Sequence, residues 1–279
     1  MRNPRIVLWC WLAVALYACG GAPQPDRTNM VDISGGQYAL GSDSTERQLG
    51  YELSPPSVRR AGWYGAWEAE PRSVELTPFL IDRTPVTQSE YAEFVAAARH
   101  RAPFIGETSY IEQGYLVHPY DEVVPFLWSG DEPSATLLDH PVVLVDRADA
   151  EAFCRWRGRR AGVELRLPTE VEWEAACRGP EGRMFPWGDD WMDGLAQAGS
   201  VFTAPVDAHP GGATPEGVLD LAGNVFEWTA SSMPDGRPVL KGCSWDDAPG
   251  TCRCAFRHGR PAASRHILIG FRCAARAPR

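Results

Sequence analysis

Two stretches of this sequence carry residue types that could do chemistry. The first is Asp220-Leu-Ala-Gly223-Asn-Val225-Phe-Glu227-Trp228, where two carboxylates stand seven residues apart around a Gly-Asn turn. Such a loop offers side-chain and backbone oxygens to one hard cation, as calcium requires. The plainer reading of the same residues is a turn with solvated acids. The second is Lys241-Gly-Cys243-Ser244-Trp245-Asp-Asp247-Ala-Pro-Gly-Thr-Cys252-Arg253-Cys254-Ala-Phe-Arg257. Its thiols and arginines suit a redox or thiol-ligand loop. Spacing alone favours a surface loop stapled by disulfides. Cys252-Arg-Cys254 followed by His258 contains zinc-type ligands, but in an oxidising compartment such cysteines more often pair with each other. No His-Glu-x-x-His pair, nucleophile elbow or phosphate-binding loop occurs.

The N-terminus sets the compartment. Arg2 and Arg5 precede an uncharged apolar run from Ile6 to Ala18. That run is too short for a hydrocarbon core of about 30 Å, which needs roughly 20 residues. It reads as a secretory signal over residues 1–18. Leu16-Tyr17-Ala18-Cys19 resembles the lipobox of bacterial lipoproteins. The resemblance implies cleavage before Cys19, acylation of its thiol and attachment to a membrane. Gly20 does not carry the inner-membrane retention signal, so the same resemblance points to the outer membrane, at its periplasmic face or the cell surface. Residues 19–29 are then a lipidated, flexible tether.

Of eight cysteines, Cys10 leaves with the signal and Cys19 takes lipid. Cys154, Cys177, Cys243, Cys252, Cys254 and Cys273 remain, an even set that implies disulfides in an exported protein. Spacing does not choose among their fifteen pairings. A net charge of −9 argues against nucleic-acid binding and against a polybasic membrane contact.

These residues need elements to position them. Thr87 with Glu90 and Thr169 with Glu172 form capping boxes, and Asp146 is a third N-cap. Helices are expected over 88–99, 147–158 and 170–178. Strands are expected at 30–33, 74–81, 239–241 and 267–272. Residues 43–70 and 101–139 lack clean periodicity and read as long loops. Trp173, Trp187 and Trp228 are expected in the core, and Glu170, Glu172 and Glu174 as cap and solvated helix face. The whole is one α+β domain over 30–276, with few helices, small sheets and many long loops.

The order of its blocks is familiar. Met30-Val-Asp-Ile-Ser-Gly-Gly-Gln-Tyr-Ala-Leu-Gly-Ser42, Phe79-Leu-Ile-Asp-Arg-Thr-Pro-Val-Thr87, Arg166-Leu-Pro-Thr-Glu-Val-Glu-Trp-Glu174 with Phe185-Pro-Trp-Gly188, Gly223-Asn-Val-Phe-Glu-Trp228, and Lys241-Gly-Cys-Ser-Trp245 with Gly270-Phe-Arg-Cys273 follow one another. The chain resembles the formylglycine-generating enzyme family, also called sulfatase-modifying factors. The resemblance implies a C-type-lectin-like α+β fold. It implies disulfides Cys154–Cys273 and Cys177–Cys254, leaving Cys243 and Cys252 for each other or free. It implies calcium at Asp220, the Gly223 and Val225 carbonyls, and Glu227; a second calcium site of the family falls at Gln197 and Ala198, which depart from its pattern. It implies that Arg272 is a buried ion partner.

Enzymes of that family oxidise a substrate cysteine to formylglycine with copper(I) held by two cysteines. A linear thiolate pair suits that soft ion. Here the first of those positions falls on Asp247 and the second near Pro249 or Cys252. One expectation is therefore a binding or scaffold domain for a protein, peptide or glycan, without the copper pair. The other is an oxidase with a rearranged pair, Cys243 and Cys252, in which Ser244 and Trp245 line the cleft and Arg253 or Arg257 steadies charge.

Overall fold

The computed structural model describes residues 29–114 and 117–277; the signal segment and Cys19 lie outside them. In chain order the elements are β1 (Met30–Ile33), β2 (Gly36–Leu40), α1 (Ser44–Glu52), α2 (Pro56–Arg60), α3 (Trp63–Trp67), β3 (Arg72–Leu76), β4 (Phe79–Asp82), α4 (Gln88–Ala98), α5 (Glu107–Glu112), α6 (Tyr120–Val123), α7 (Arg147–Ala161), β5 (Leu165–Arg166), α8 (Glu170–Arg178), β6 (Phe226–Ser232), β7 (Pro238–Lys241), β8 (Arg257–Gly259), β9 (Ile269–Gly270) and β10 (Ala274–Arg276). They form the expected α+β fold, with sheets ordered β1-β4-β10-β5, β2-β3 and β8-β7-β6-β9. Among the described residues no helix is long and apolar enough to cross a membrane.

The three long helices start where their caps place them. Thr87–Glu90, Asp146–Asp149 and Thr169–Glu172 each make both bonds of a capping box. α7 runs past 158 to Gly162, whose φ of 67° ends it in the left-handed region. Elsewhere the expected elements change. The 43–70 stretch folds into α1–α3, and 101–139 contains α5 and α6. Most of these helices are too short to repeat an apolar face. The 74–81 strand is two strands in different sheets, because Thr77-Pro78 interrupts the ladder. The 267–272 strand supplies only β9.

α4 and α7 pack through a cluster of rings. Tyr91 stacks on Phe153 at 5.7 Å, and Phe94 and Phe271 meet Phe153 edge-on. Trp173 and Trp228 are fully buried, as expected, while Trp187 is half-buried. Disulfides join Cys154 to Cys273, Cys177 to Cys254 and Cys243 to Cys252.

Beside this core lies a buried ionic network. Arg253 and Lys241 are fully buried. Arg253 binds Glu68 at 2.5 Å and Glu46 at 3.5 Å. Arg178 binds Glu46 at 2.7 Å and Glu174 at 3.0 Å, and Lys241 binds Glu174 at 3.0 Å. Three acids thus face three cations. Glu174 is not the solvated residue expected of it. Burial alone would raise its carboxyl, but Lys241 and Arg178 outweigh that and hold it below the usual range. Glu174 also accepts from the Gly41 N–H at 2.7 Å. The network fastens the 41–68 segment to α8 and the C-terminal loop.

Candidate functional site

That fastened segment forms one wall of a cleft. In α3, Trp63 and Trp67 sit one turn apart, a spacing that places both on one helix face. Opposite stand Phe226 of β6, Phe256, and His258 of the edge strand β8. The loop after Cys243 brings Asp246 and Asp247 to the same space. The cavity measures about 280 Å³.

Several contacts fix the loop. The Cys243–Cys252 disulfide closes it at its base, with Cα atoms 4.8 Å apart. The Gly199 N–H donates to the Asp247 carbonyl at 2.9 Å, and the Trp245 N–H donates to the Asn224 carbonyl at 3.0 Å. The turn beneath requires glycine at 223: its φ is +90°, and a Cβ there would lie 2.4 Å from the Gln197 carbonyl oxygen. Asn224 pairs both ways with the Ala204 backbone.

A run of polar contacts leads from the cleft to the surface. Asp247 accepts from the Ser244 N–H at 2.9 Å. The Ser244 hydroxyl lies 2.5 Å from Asp247 and 2.6 Å from Asp246. Asp246 meets His118 Nε2 at 2.9 Å, and His118 Nδ1 meets Glu122 at 2.6 Å. One hydroxyl proton cannot serve both of Ser244's contacts, so one carboxyl must carry its own. Burial, and then the charge of Asp246, raises Asp247 to about 7. Asp247 is thus the group that holds a proton most readily.

The residues present do not fit copper(I). Asp247 offers a hard oxygen already bound by Ser244. The two nearby sulfurs, Cys243 and Cys252, are fully buried and bonded to each other. The Gly223 N–H also donates to Cys243 Sγ at 2.9 Å. Nor do the expected arginines face the cleft. Arg253 is spent on Glu68, and Arg257 on Glu170 and the Trp67 carbonyl. Cys154, Cys177, Cys254 and Cys273 form the expected disulfides, and with all three bonds closed no zinc role remains for Cys252 and Cys254.

Calcium fares no better as the side chains stand. Glu227 lies where the loop puts it, but both its oxygens are taken. Arg272 donates to them at 2.7 Å each, and Trp173 Nε1 donates at 2.7 Å. Arg272 also donates to the Leu219 and Asp220 carbonyls. The guanidinium supplies the positive charge that an ion would bring, as expected of a buried ion partner. The Gly223 carbonyl accepts from the Val225 N–H. Asp220 accepts from Asn224 at 3.1 Å, and burial raises its carboxyl to about 7. Among the described residues no group of three or more His, Cys, Asp or Glu could hold a metal ion.

Sequence reading missed Trp63, Trp67 and His258 as cleft residues, and His118 as the partner of Asp246. The Trp-x-x-x-Trp spacing was a usable signal for the first pair. Nothing local joins His118 to Asp246, which stands 128 residues away.

Comparison with known proteins gives this geometry its context. Residues 18–277 match the Sulfatase-modifying factor enzyme 1-like domain. The chain is 31% identical to the inactive C-alpha-formylglycine-generating enzyme 2 of Mus musculus, over 99% of this chain and 94% of that protein. It is also 31% identical to the formylglycine-generating enzyme of Bos taurus, over 92% of this chain and 76% of that one. Among solved structures, PvdO from Pseudomonas aeruginosa superposes with a TM-score of 0.68 at 22% identity, covering 89% of this chain and 94% of PvdO. By domain match, full-length identity and fold, this chain belongs to the formylglycine-generating enzyme (sulfatase-modifying factor) family.

Proposed function

We propose that this chain is a lipid-anchored binding domain of its family that does not generate formylglycine. One observation carries the reading: the two sulfurs of this loop are joined as Cys243–Cys252, and the family resemblance puts Asp247 where the first copper thiol would stand. Two thiolates are needed for a linear copper(I) site, and a carboxylate is a poor substitute for either. The relative in Mus musculus whose name marks it inactive is matched over nearly its whole length. Anchoring rests on the Leu16-Tyr17-Ala18-Cys19 motif and places the domain outside the cytoplasm, where the disulfides persist. The cleft then serves to hold a ligand, and the buried ionic network keeps its walls in place.

The test is a thiol count on the purified chain under mild reductant, with and without copper(I), beside incubation with a Cys-x-Pro-x-Arg peptide. The expected result is no reactive thiol at Cys243 or Cys252 and an unchanged peptide mass. Two thiols at those positions, protected by copper(I), with peptide conversion lost on Cys252→Ser, would establish the rearranged oxidase instead.

A further inference from the structure

We infer that the cleft takes a neutral saccharide, stacked on Trp63 and hydrogen-bonded at His258. The inference deepens the binding reading by naming a ligand class.

The first ground is the aromatic wall. Trp63 lines the cleft and is 40% exposed, so it is not used up in the core. Trp67, one turn away, carries Arg237 over its ring at 5.2 Å and closes the side of the cleft, so the open ring is that of Trp63, and the C–H face of a pyranose packs on such a ring. The floor is also aromatic. Phe226 lies edge-on to His258 at 4.6 Å, and Phe256 stacks on it at 5.9 Å.

The second ground is the charge of the lining. Two acids, Asp246 and Asp247, face two arginines, Arg237 and Arg260. Asp246 is held by His118 and Asp247 by Ser244. Arg237 is held by Asp235 at 2.5 Å and lies over the Trp67 ring at 5.2 Å. With Asp247 holding a proton and Arg237 paired to Asp235, the lining carries one charge of each sign, on Asp246 and Arg260, and a ligand of either net charge gains little from it. A ligand with many neutral hydroxyls can address both signs.

The third ground is His258. Burial, and then the charges of Arg260 and Arg237, lower its imidazole to about 3, so it is neutral at any ordinary pH. Nδ1 is buried without a hydrogen-bond partner, and among the described residues the ring makes no hydrogen bond at all, which leaves Nε2 as the nitrogen a ligand can reach. A neutral imidazole on a cavity wall asks for a group that both donates and accepts. A sugar hydroxyl does both, whichever tautomer is present.

The volume of about 280 Å³ suits a monosaccharide or disaccharide end better than an extended peptide. A peptide would need a long free strand edge for its backbone, and β8 at the cleft has three residues.

The experiment uses the purified full chain and reads tryptophan fluorescence during titration with maltotriose, cellotriose or N,N′,N″-triacetylchitotriose. A Cys-x-Pro-x-Arg peptide is titrated in parallel. At least one sugar is expected to bind with a Kd of about 1 mM or tighter. Trp63→Ala, at an exposed site, should weaken it by about tenfold or more, and His258→Phe should weaken it while leaving the melting temperature near that of the parent. The inference is overturned if no sugar changes the signal up to about 10 mM, if Trp63→Ala leaves sugar binding intact, or if only the peptide binds in a Trp63-dependent way. The thiol count on the same sample separates the two readings: failed sugar binding with no reactive thiol removes only the ligand class.

Discussion

Replacing Glu68 with Gln should loosen the cleft wall before it unfolds the protein. Arg253 is fully buried, and Glu68 holds it through contacts of 2.5 and 3.3 Å. Removing one partner of a buried pair strands the other charge and costs about 3–5 kcal/mol. Glu46 remains 3.5 Å from the guanidinium, so the lower end, about 3 kcal/mol, is expected. For a domain of this size each kcal/mol shifts the melting temperature by about 2–4 °C, giving a drop of about 6–12 °C. Calorimetry measures this drop. Hydrogen exchange should also show residues 44–67 opening at lower free energy than α4 and α7. The companion is the double variant Glu68→Leu, Arg253→Met, which removes both charges and should cost less than Glu68→Gln alone. A melting shift below about 2 °C for Glu68→Gln, or a double variant no better than that single one, would refute the claim that the pair is a coupled fastening.

The remaining predictions concern the loop and its acids. Breaking Cys243–Cys252 by Ser substitution at both positions should cost about 2–3 kcal/mol by the chain-entropy estimate for a loop this short, read from urea denaturation. Asp220 and Asp247 are each raised to about 7 from an ordinary value of 3.8. The folded state binds their protons more tightly, so this stability is fully present below about pH 4 and is lost as pH rises to about 7. Urea midpoints should therefore fall across that window, and Asp220→Asn with Asp247→Asn should flatten the fall. Calcium against chelator should leave the melting temperature unchanged, whereas Glu227→Gln should lower it by stranding Arg272; a clear calcium-induced rise would show that Glu227 can be released to an ion.

What was legible in the sequence was local or carried by whole motifs. Capping boxes need only three or four residues, and Thr87–Glu90 and Thr169–Glu172 placed α4 and α8 to within a residue. Cys154–Cys273 and Cys177–Cys254 followed from the resemblance, and Arg272 with them, whereas Cys243 and Cys252 were left open between a bond and free thiols. The cleft was not legible, because it is assembled from α3, β6, β8 and the 244–251 loop, and no spacing along the chain reports that meeting. Glu174 was misread for a related reason. A carboxylate on a helix is solvated by default, and here Arg178 with Lys241, which arrives from β7, makes burial tolerable. Glu227 shows the same dependence: its place in a motif suggested an ion ligand, and no local spacing announces the guanidinium of Arg272 that pairs with it.

The loop after Cys243 is held more firmly than a bystander needs to be. It is closed by a disulfide, bonded to the 199–200 and 223–224 turns, and set on a glycine that nothing larger could replace. Such holding is what a pair of reactive thiols would require, since a metal site fails if its ligands drift. In this chain the same holding positions Asp246 and Asp247 at the wall of an aromatic cavity. The scaffold is therefore independent of the chemistry it carries. If so, Asp247→Cys should fold and keep its melting temperature, yet should not by itself form a copper(I) site while Cys252 stays bonded to Cys243. Copper(I) titration of that variant before and after selective reduction tests the point: binding before reduction would mean that the loop is not held as its contacts indicate.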